Sequence, residues 1–147
     1  MNLAISVRRK LLPSDIMAES LEYKSEYMDF VFEDGVLCAT YKELAEIDLE
    51  AARISVEDRK RASGHKAVPI LIDARRLKVL EKPARDYFAS EEGSELLTAA
   101  AILVDSVFTT YLGNFVMKIS FKKQKIPLQL FNDRNRAIEW LQGFVVK

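Results

Sequence analysis

The chain has 147 residues, 49% of them hydrophobic and 30% charged, which is the size and balance of one globular domain. Its 22 basic and 22 acidic residues cancel, so no overall field exists to draw nucleic acid or an anionic membrane. A single cysteine and a single histidine cannot form a disulfide and are too few for a zinc site, so no metal or other cofactor is expected.

The first ten residues place their apolar side chains ahead of Arg8-Arg9-Lys10, the reverse of a signal peptide's charged start and apolar core, and the expected location is the cytoplasm. Residues 1–22 read as an N-terminal arm, with Leu11-Leu12-Pro13 interrupting any helix and a short helix around 16–21. The domain itself is expected over 23–147. Residues 27–32 and Val36–Tyr41 are apolar and rich in β-formers, and they flank Glu33-Asp34-Gly35. Asp-Gly supplies the positive φ angles of a two-residue hairpin turn, which pairs Phe32 with Leu37, Phe30 with Ala39 and Met28 with Tyr41 on one face. Val31 with Cys38 and Asp29 with Thr40 then share the other face.

Asp48 is placed to cap a helix running to about Ala62, with Leu49, Ala52 and Val56 inward and Gly64 available to end it. Glu57 with Arg61 and Glu50 with Arg53 mark its outer face. Val68–Asp73 is a short Val/Ile/Leu run of the kind buried on both faces of a parallel sheet. Pro83 suits a helix's first turn, and Ala84, Tyr87 and Phe88 give that helix an inward stripe that ends near Gly93. Between Glu95 and Lys118 only Asp105 is charged, a length that could nearly cross a bilayer. Thr98, Ser106, Thr109, Thr110, Gly113 and Asn114, together with a change of period at Asp105-Ser106, favour instead a buried strand over 99–104. A helix capped near Ser106 follows it, carrying Phe108, Tyr111, Leu112, Phe115, Val116 and Ile119 on one face. Leu128–Phe131 is the last strand. Asn132 or Asp133 then caps a final helix with Ala137, Ile138, Leu141, Phe144 and Val145 on one side. The predicted class is α/β: a mixed sheet with an N-terminal hairpin and parallel strands joined by helix crossovers.

This order, with Ile70-Leu71-Ile72-Asp73 closing the third strand and Leu128-Gln129-Leu130-Phe131 followed by Ala137-Ile138-Glu139-Trp140-Leu141, resembles the STAS-like domains related to bacterial anti-sigma-factor antagonists. The likeness covers roughly 23–144. Tyr87-Phe88-Ala89-Ser90, the run from Ala99 to Val104, Gly113-Asn114-Phe115 and Trp140-Leu141 look like an uncharacterised bacterial subgroup of that superfamily. The resemblance implies helices mainly on one face of the sheet and a regulatory role in protein association or ligand sensing rather than turnover. One feature departs from it. Well-understood members carry a phosphorylatable serine at the start of the helix after the third strand, whereas residues 74–89 here contain no serine or threonine and Lys82-Pro83-Ala84 stands about where it would be.

Ligands of open sheets lie beyond the carboxyl ends of parallel strands. That rule selects Asp73, Arg75 and Arg76, then Asp105 and Ser106, then Asn132 and Asp133, with Tyr87 near the first group as a further candidate for an anionic or apolar ligand. Arginines beside a helix start can hold a carboxylate or phosphate. Each group also has a structural reading, with Asp73 paired to an arginine and Ser106 and Asn132 as helix caps. Asp73 with Asp105 as a catalytic carboxylate pair is a third possibility. Arg59-Lys60-Arg61 with His65-Lys66, and Lys118, Lys122, Lys123 and Lys125, are locally basic and read as a solvated helix face and a loop. The hairpin face carrying Asp29, Val31, Cys38 and Thr40 would be a homodimer interface wherever no helix covers it. The expected protein is therefore a non-catalytic regulatory or protein-interaction domain with an unidentified protein partner, binding no nucleic acid and inserting in no membrane. A small-ligand sensor is the alternative.

Overall fold

A computed structural model describes residues 4–7, 21–105 and 126–146. The strands are β1 (Ala4–Val7), β2 (Leu21–Lys24), β3 (Met28–Glu33), β4 (Val36–Tyr41), β5 (Glu46–Ile47), β6 (Val68–Asp73), β7 (Val79–Leu80), β8 (Leu97–Leu103) and β9 (Leu128–Phe131). The helices are α1 (Leu49–Ala62), α2 (Lys82–Ala89) and α3 (Arg134–Gln142). Seven strands form one sheet in the order β1-β2-β3-β4-β6-β8-β9, antiparallel from β1 to β4 and parallel from β4 to β9. A separate parallel pair joins β5 to β7.

The hairpin has the register that its turn dictates. Asp34 and Gly35 take φ of 51° and 83°, and Met28 pairs with Tyr41, Phe30 with Ala39 and Phe32 with Leu37. Glycine is needed at position 35 twice over, since a Cβ there would lie 2.9 Å from a methyl of Val145. The hairpin is not a sheet edge, because β2 pairs with β3 and β1 with β2. Ala4–Val7 and Leu21–Lys24 are thus sheet strands where the sequence suggested an arm, and Leu21 is strand rather than the end of a short helix. The helix expected after Ser106 lies outside the described residues.

Strand β6 lies between β4 and β8, and its alternate side chains enter two separate cores. Ile70 and Ile72 join Phe30, Leu37, Ala39, Ala100 and Ile102 beneath α1 and α2. Leu71 joins Val36, Cys38, Ala101 and Leu103 beneath Ala137 and Leu141 of α3. Two of the three described helices therefore share one face and α3 covers the other. Asp48 caps α1 by accepting the Ala51 amide at 2.8 Å, and Asp133 caps α3 by accepting the amides of Asn135 and Arg136 at 2.9 and 3.2 Å. Among the described residues, no helix is long and apolar enough to cross a membrane.

Among the described residues, Asp58 is the carboxylate with both oxygens buried and unpartnered. The Asp58 carboxylate on α1 is fully buried, and neither oxygen has a hydrogen-bond partner among the described residues. Ser25 beside it gives its hydroxyl to the Met28 carbonyl at 2.9 Å. Burial raises the Asp58 pKa, against the opposing pull of Ser25 and Arg61. A carboxyl whose folded pKa is raised contributes stability fully below its unfolded value, about 3.9 for aspartate, and loses it as pH climbs through the folded value. Stability should fall across that window by about 1.4 kcal/mol for each unit separating the two pKa values. Asp58→Asn removes this dependence, so its urea midpoint should gain on wild type as pH rises from 4 to 7. A difference that stays flat with pH contradicts this account.

Candidate functional site

The parallel strands β4 and β6 end side by side, with Thr40 paired to Asp73. Asp73 receives the Arg75 amide at 3.1 Å and its Nε at 3.0 Å on one oxygen, and its Nη2 at 2.8 Å on the other. Partial burial of Asp73 works to raise its pKa, but the side-chain and backbone hydrogen bonds of Arg75 outweigh it and hold the carboxyl below its usual range. The Arg75 guanidinium is about half exposed and Arg76 is exposed, while Asp105 stands exposed beyond β8. Asp105 acts on Arg75 electrostatically, so these two groups share one field. The first strand-end group therefore comes together as a closed acid–base pair.

Tyr87 belongs elsewhere. Its hydroxyl donates to Glu92 at 3.0 Å, and the Arg53 guanidinium lies 5.8 Å from its ring centroid, so it joins α1 to α2 instead of meeting Asp73. Ser106 lies outside the described residues. Asn132 is exposed, and the cap of α3 is Asp133.

Beside the Asp73 pair, the chain leaving β4 makes a feature that sequence patterning does not flag. Leu44 takes a φ of 59° and exposes 66% of its surface. Its amide donates to the Arg76 carbonyl at 2.9 Å, and the amides of Lys78 and Val79 both donate to the Ala45 carbonyl at 3.0 and 3.2 Å. A leucine pays about 1–2 kcal/mol to adopt left-handed backbone, and this one recovers nothing by burial. This exposed apolar side chain, on backbone bonded to Arg76, stands out among the described residues at this end of the molecule.

On the hairpin's other face, α3 covers Cys38, which is 9% exposed and packed near Ala137 and Leu141. The bare-sheet condition for an interface thus fails at Cys38, whereas Asp29, Val31 and Thr40 remain partly exposed. The thiol lies 3.5 Å from a Glu33 oxygen and 3.7 Å from Arg134 Nη2, and Arg134 also binds Glu33. That bond from Arg134 is the main reason the Glu33 pKa is lowered. Burial, aided by the Glu33 charge, pushes the Cys38 thiol up to about 12.

Two residues of the basic run, Arg59 and Lys60, are buried where the sequence suggested a solvated face, whereas Arg61, His65 and Lys66 are exposed as expected. Arg59 is 3% and Lys60 8% exposed. Arg59 donates to the Glu95 carbonyl at 2.7 Å and the Gly93 carbonyl at 3.0 Å, and Lys60 meets the Glu95 carboxylate at 2.9 Å. The loop between α2 and β8 is therefore clamped onto α1. Burial lowers the Arg59 pKa to about 10, against the pull of Glu95. Gly93 must lack a side chain here, because a Cβ would come within 1.9 Å of the Tyr87 carbonyl oxygen.

A cavity of about 700 Å³ opens at the opposite end of the parallel strands, between the last turn of α1, the hairpin turn and the start of β6. The strand-end rule does not direct attention there. A usable signal was Pro69, which lacks an N–H and so interrupts the ladder of a central strand, and the register shifts at Val68/Pro69.

The mixed sheet, its two helical faces and its topology define a STAS-like fold. A crystal structure of an uncharacterised protein of the DUF3478 family with a SpoIIAA-like fold, from Shewanella loihica PV-4, superposes with a TM-score of 0.52 at 15% identity, covering 95% of this chain and 93% of that one. The chain belongs to the family described as Domain of unknown function (DUF7793), which matches residues 30–145. A search of the curated proteins gave no match.

Two measurements check the buried chemistry of this region. At pH 8, native Cys38 should react with iodoacetamide about 10³-fold more slowly than the urea-unfolded chain, as its raised pKa requires; equal rates would place the thiol outside α3's cover. Arg59→Met should lower unfolding free energy by about 3 kcal/mol or more, since two charge-assisted bonds are lost and two carbonyls orphaned. Lys60→Met, whose partner is exposed, should cost under about 1 kcal/mol in the same urea titration.

Proposed function

We propose that this chain is a non-catalytic, STAS-like regulatory domain of the bacterial cytoplasm that binds a protein partner through the carboxyl ends of β4 and β6. The observation that carries the reading is Leu44. Backbone strain is tolerated where function uses it, and here it presents a bare leucine on backbone bonded to Arg76, the neighbour of Arg75 in the chain. Such a surface suits a partner offering an apolar pocket rimmed by carboxylates, with the leucine as anchor and the charges setting orientation. Arg75 contributes while bound to Asp73, which fixes its direction. The control of association differs from that of serine-bearing relatives of the fold. Position 84, near the start of α2, is an alanine with 0% exposure, so it offers neither a hydroxyl nor access to a kinase.

A small-ligand sensor at the same strand ends is the second reading, and it would use Arg75, Arg76, Asp105 and Ser106. It requires Arg75 to exchange the Asp73 carboxylate for the ligand's anion, which makes it the costlier use of this geometry. Self-association through Asp29, Val31 and Thr40 is compatible with either reading, since that surface lies on the sheet's far side from α1.

A photo-crosslinking residue placed at Leu44, in the cells that encode the protein, should yield one dominant protein adduct. Arg76→Glu should abolish that adduct. Leu44→Gly should raise the urea midpoint, by about 1 kcal/mol of relieved strain, and weaken recovery of the same partner from purified components. A leucine-to-glycine variant that gains stability with partner binding unchanged overturns the reading, as does native mass spectrometry showing a small anion displaced by Arg75→Ala.

A further inference from the structure

We infer that the cavity at the amino-terminal ends of the parallel strands is a binding site for a free amphipathic carboxylate, a small molecule with an apolar body and one anionic end. This site is separate from the partner surface proposed above and does not depend on it.

Its volume of about 700 Å³ lies within the range of small-molecule sites, about 300–1,000 Å³. The cavity exists for identifiable reasons. Gly35 and Gly64 contribute no side chains to it, and both take left-handed backbone, with φ of 83° and 65°. A Cβ on Gly64 would meet nothing within 4 Å. At the floor, the pairing of β6 with β8 slips by one residue between Val68 and Pro69. The helix end, the turn and the strand start consequently do not close on one another.

The lining divides into two chemical zones. Tyr23, Phe30, Leu37 and Val68 are buried core side chains whose faces form the interior, with Phe32 beside them. Among the described residues, the charged members of the lining are Glu22, Arg61 and Lys66. The charges stand at the mouth, where Arg61 and Lys66 are exposed on the α1 end and the loop after it. Among the described residues, neither side chain is in an ion pair or hydrogen bond, although Arg61 acts electrostatically on Asp58. Glu22, the acidic group at the rim, is by contrast not free. Two uncommitted cations over an apolar well complement a ligand whose hydrocarbon body desolvates inside while its carboxylate stays at the mouth, where arginine can grip both oxygens. A polar phosphosugar would bury unpaired hydroxyls against the interior, and a neutral hydrocarbon would leave both cations unused.

The test uses the full chain with decanoate and decan-1-ol as probes, by isothermal titration and by amide NMR shifts. Decanoate should bind one per chain, move the Gly35, Gly64 and Val68 amides, and bind about tenfold more tightly than the alcohol, the factor that one charge-assisted contact contributes. Arg61→Gln with Lys66→Gln should bring decanoate to the alcohol's affinity without changing the alcohol. Val146→Glu, which puts a negative charge on an exposed rim residue, should weaken decanoate alone. Leu44→Gly and Arg76→Glu, at the other end of the sheet, should leave decanoate binding unchanged, so failure of the partner reading and failure of this one are separately visible. Absence of saturable decanoate binding overturns the proposal. So does binding indifferent to Arg61 and Lys66, and so does co-sedimentation with phosphatidylglycerol vesicles by a chain that ignores free decanoate, which would assign the two cations to a lipid surface.

Discussion

The rest of the structure depends on one constraint: β6 is buried on both faces and paired along both edges. A strand with Val68, Ile70 and Leu71 has no side to give to water, so each face must be covered by other elements. The chain meets this with α1 and α2 on one side and α3 on the other. The parallel pairing to β4 and β8 follows because each neighbour is reached through a helix. The same constraint fixes where polar groups can gather. With both faces of β6 covered, the two ends of the parallel strands are where this part of the described sheet leaves functional side chains open. One end holds the Asp73–Arg75 pair with Leu44, and the other holds the cavity.

The hydrogen bonds that tie α1 down use charge in two different ways. Arg59 is buried with two carbonyls to satisfy it, so its desolvation is offset and it locks the α2–β8 loop. Asp58, the preceding residue on the helix, is buried with nothing equivalent. Adjacent residues point to different sides of a helix, and these two face different neighbours: the loop of Gly93 and Glu95 for the arginine, the turn of Ser25 for the aspartate. The helix is thus held strongly on its loop side and tolerates a frustrated contact on its sheet side. Burial of a charge is in this case no guide to its contribution; the number of partners decides it.

Much of the fold was legible in the residues, because local rules and burial patterns agreed. Asp34-Gly35 fixed a turn type, and the turn type fixed every pair of the hairpin. The buried run Val68–Asp73 announced a central parallel strand, and Asp48 announced the start of a helix. The first strands were not legible, since their pairing is decided by an open edge at β3 rather than by any local signal, and Leu11-Leu12-Pro13 argued only against a helix. The reading of Arg59 and Lys60 as solvated failed for a clearer reason. Composition reports charge, not partners, and Arg59 finds its partners 34 and 36 residues away in sequence. The Asp73–Arg75 pair was foreseen as the structural alternative to a ligand site. Leu44 was invisible because a left-handed leucine has no sequence signature; it arises from tertiary hydrogen bonds to Arg76.

Position 84 is the point at which this chain departs from the resemblance drawn from its sequence. In a serine-bearing relative of this architecture, the start of the helix after the third strand must face solvent, since a kinase has to reach it and a phosphate has to remain hydrated. Here Pro83 opens the helix and Ala84 is turned fully into the core with Leu77 and Leu80. Restoring a hydroxyl at that position would bury it against apolar neighbours rather than create a switch. At the strand ends, the hydrogen bonds of Arg75 hold the Asp73 carboxyl below its usual range. What the described residues offer at that end is set by geometry, with the Arg75 guanidinium directed by its two bonds to Asp73.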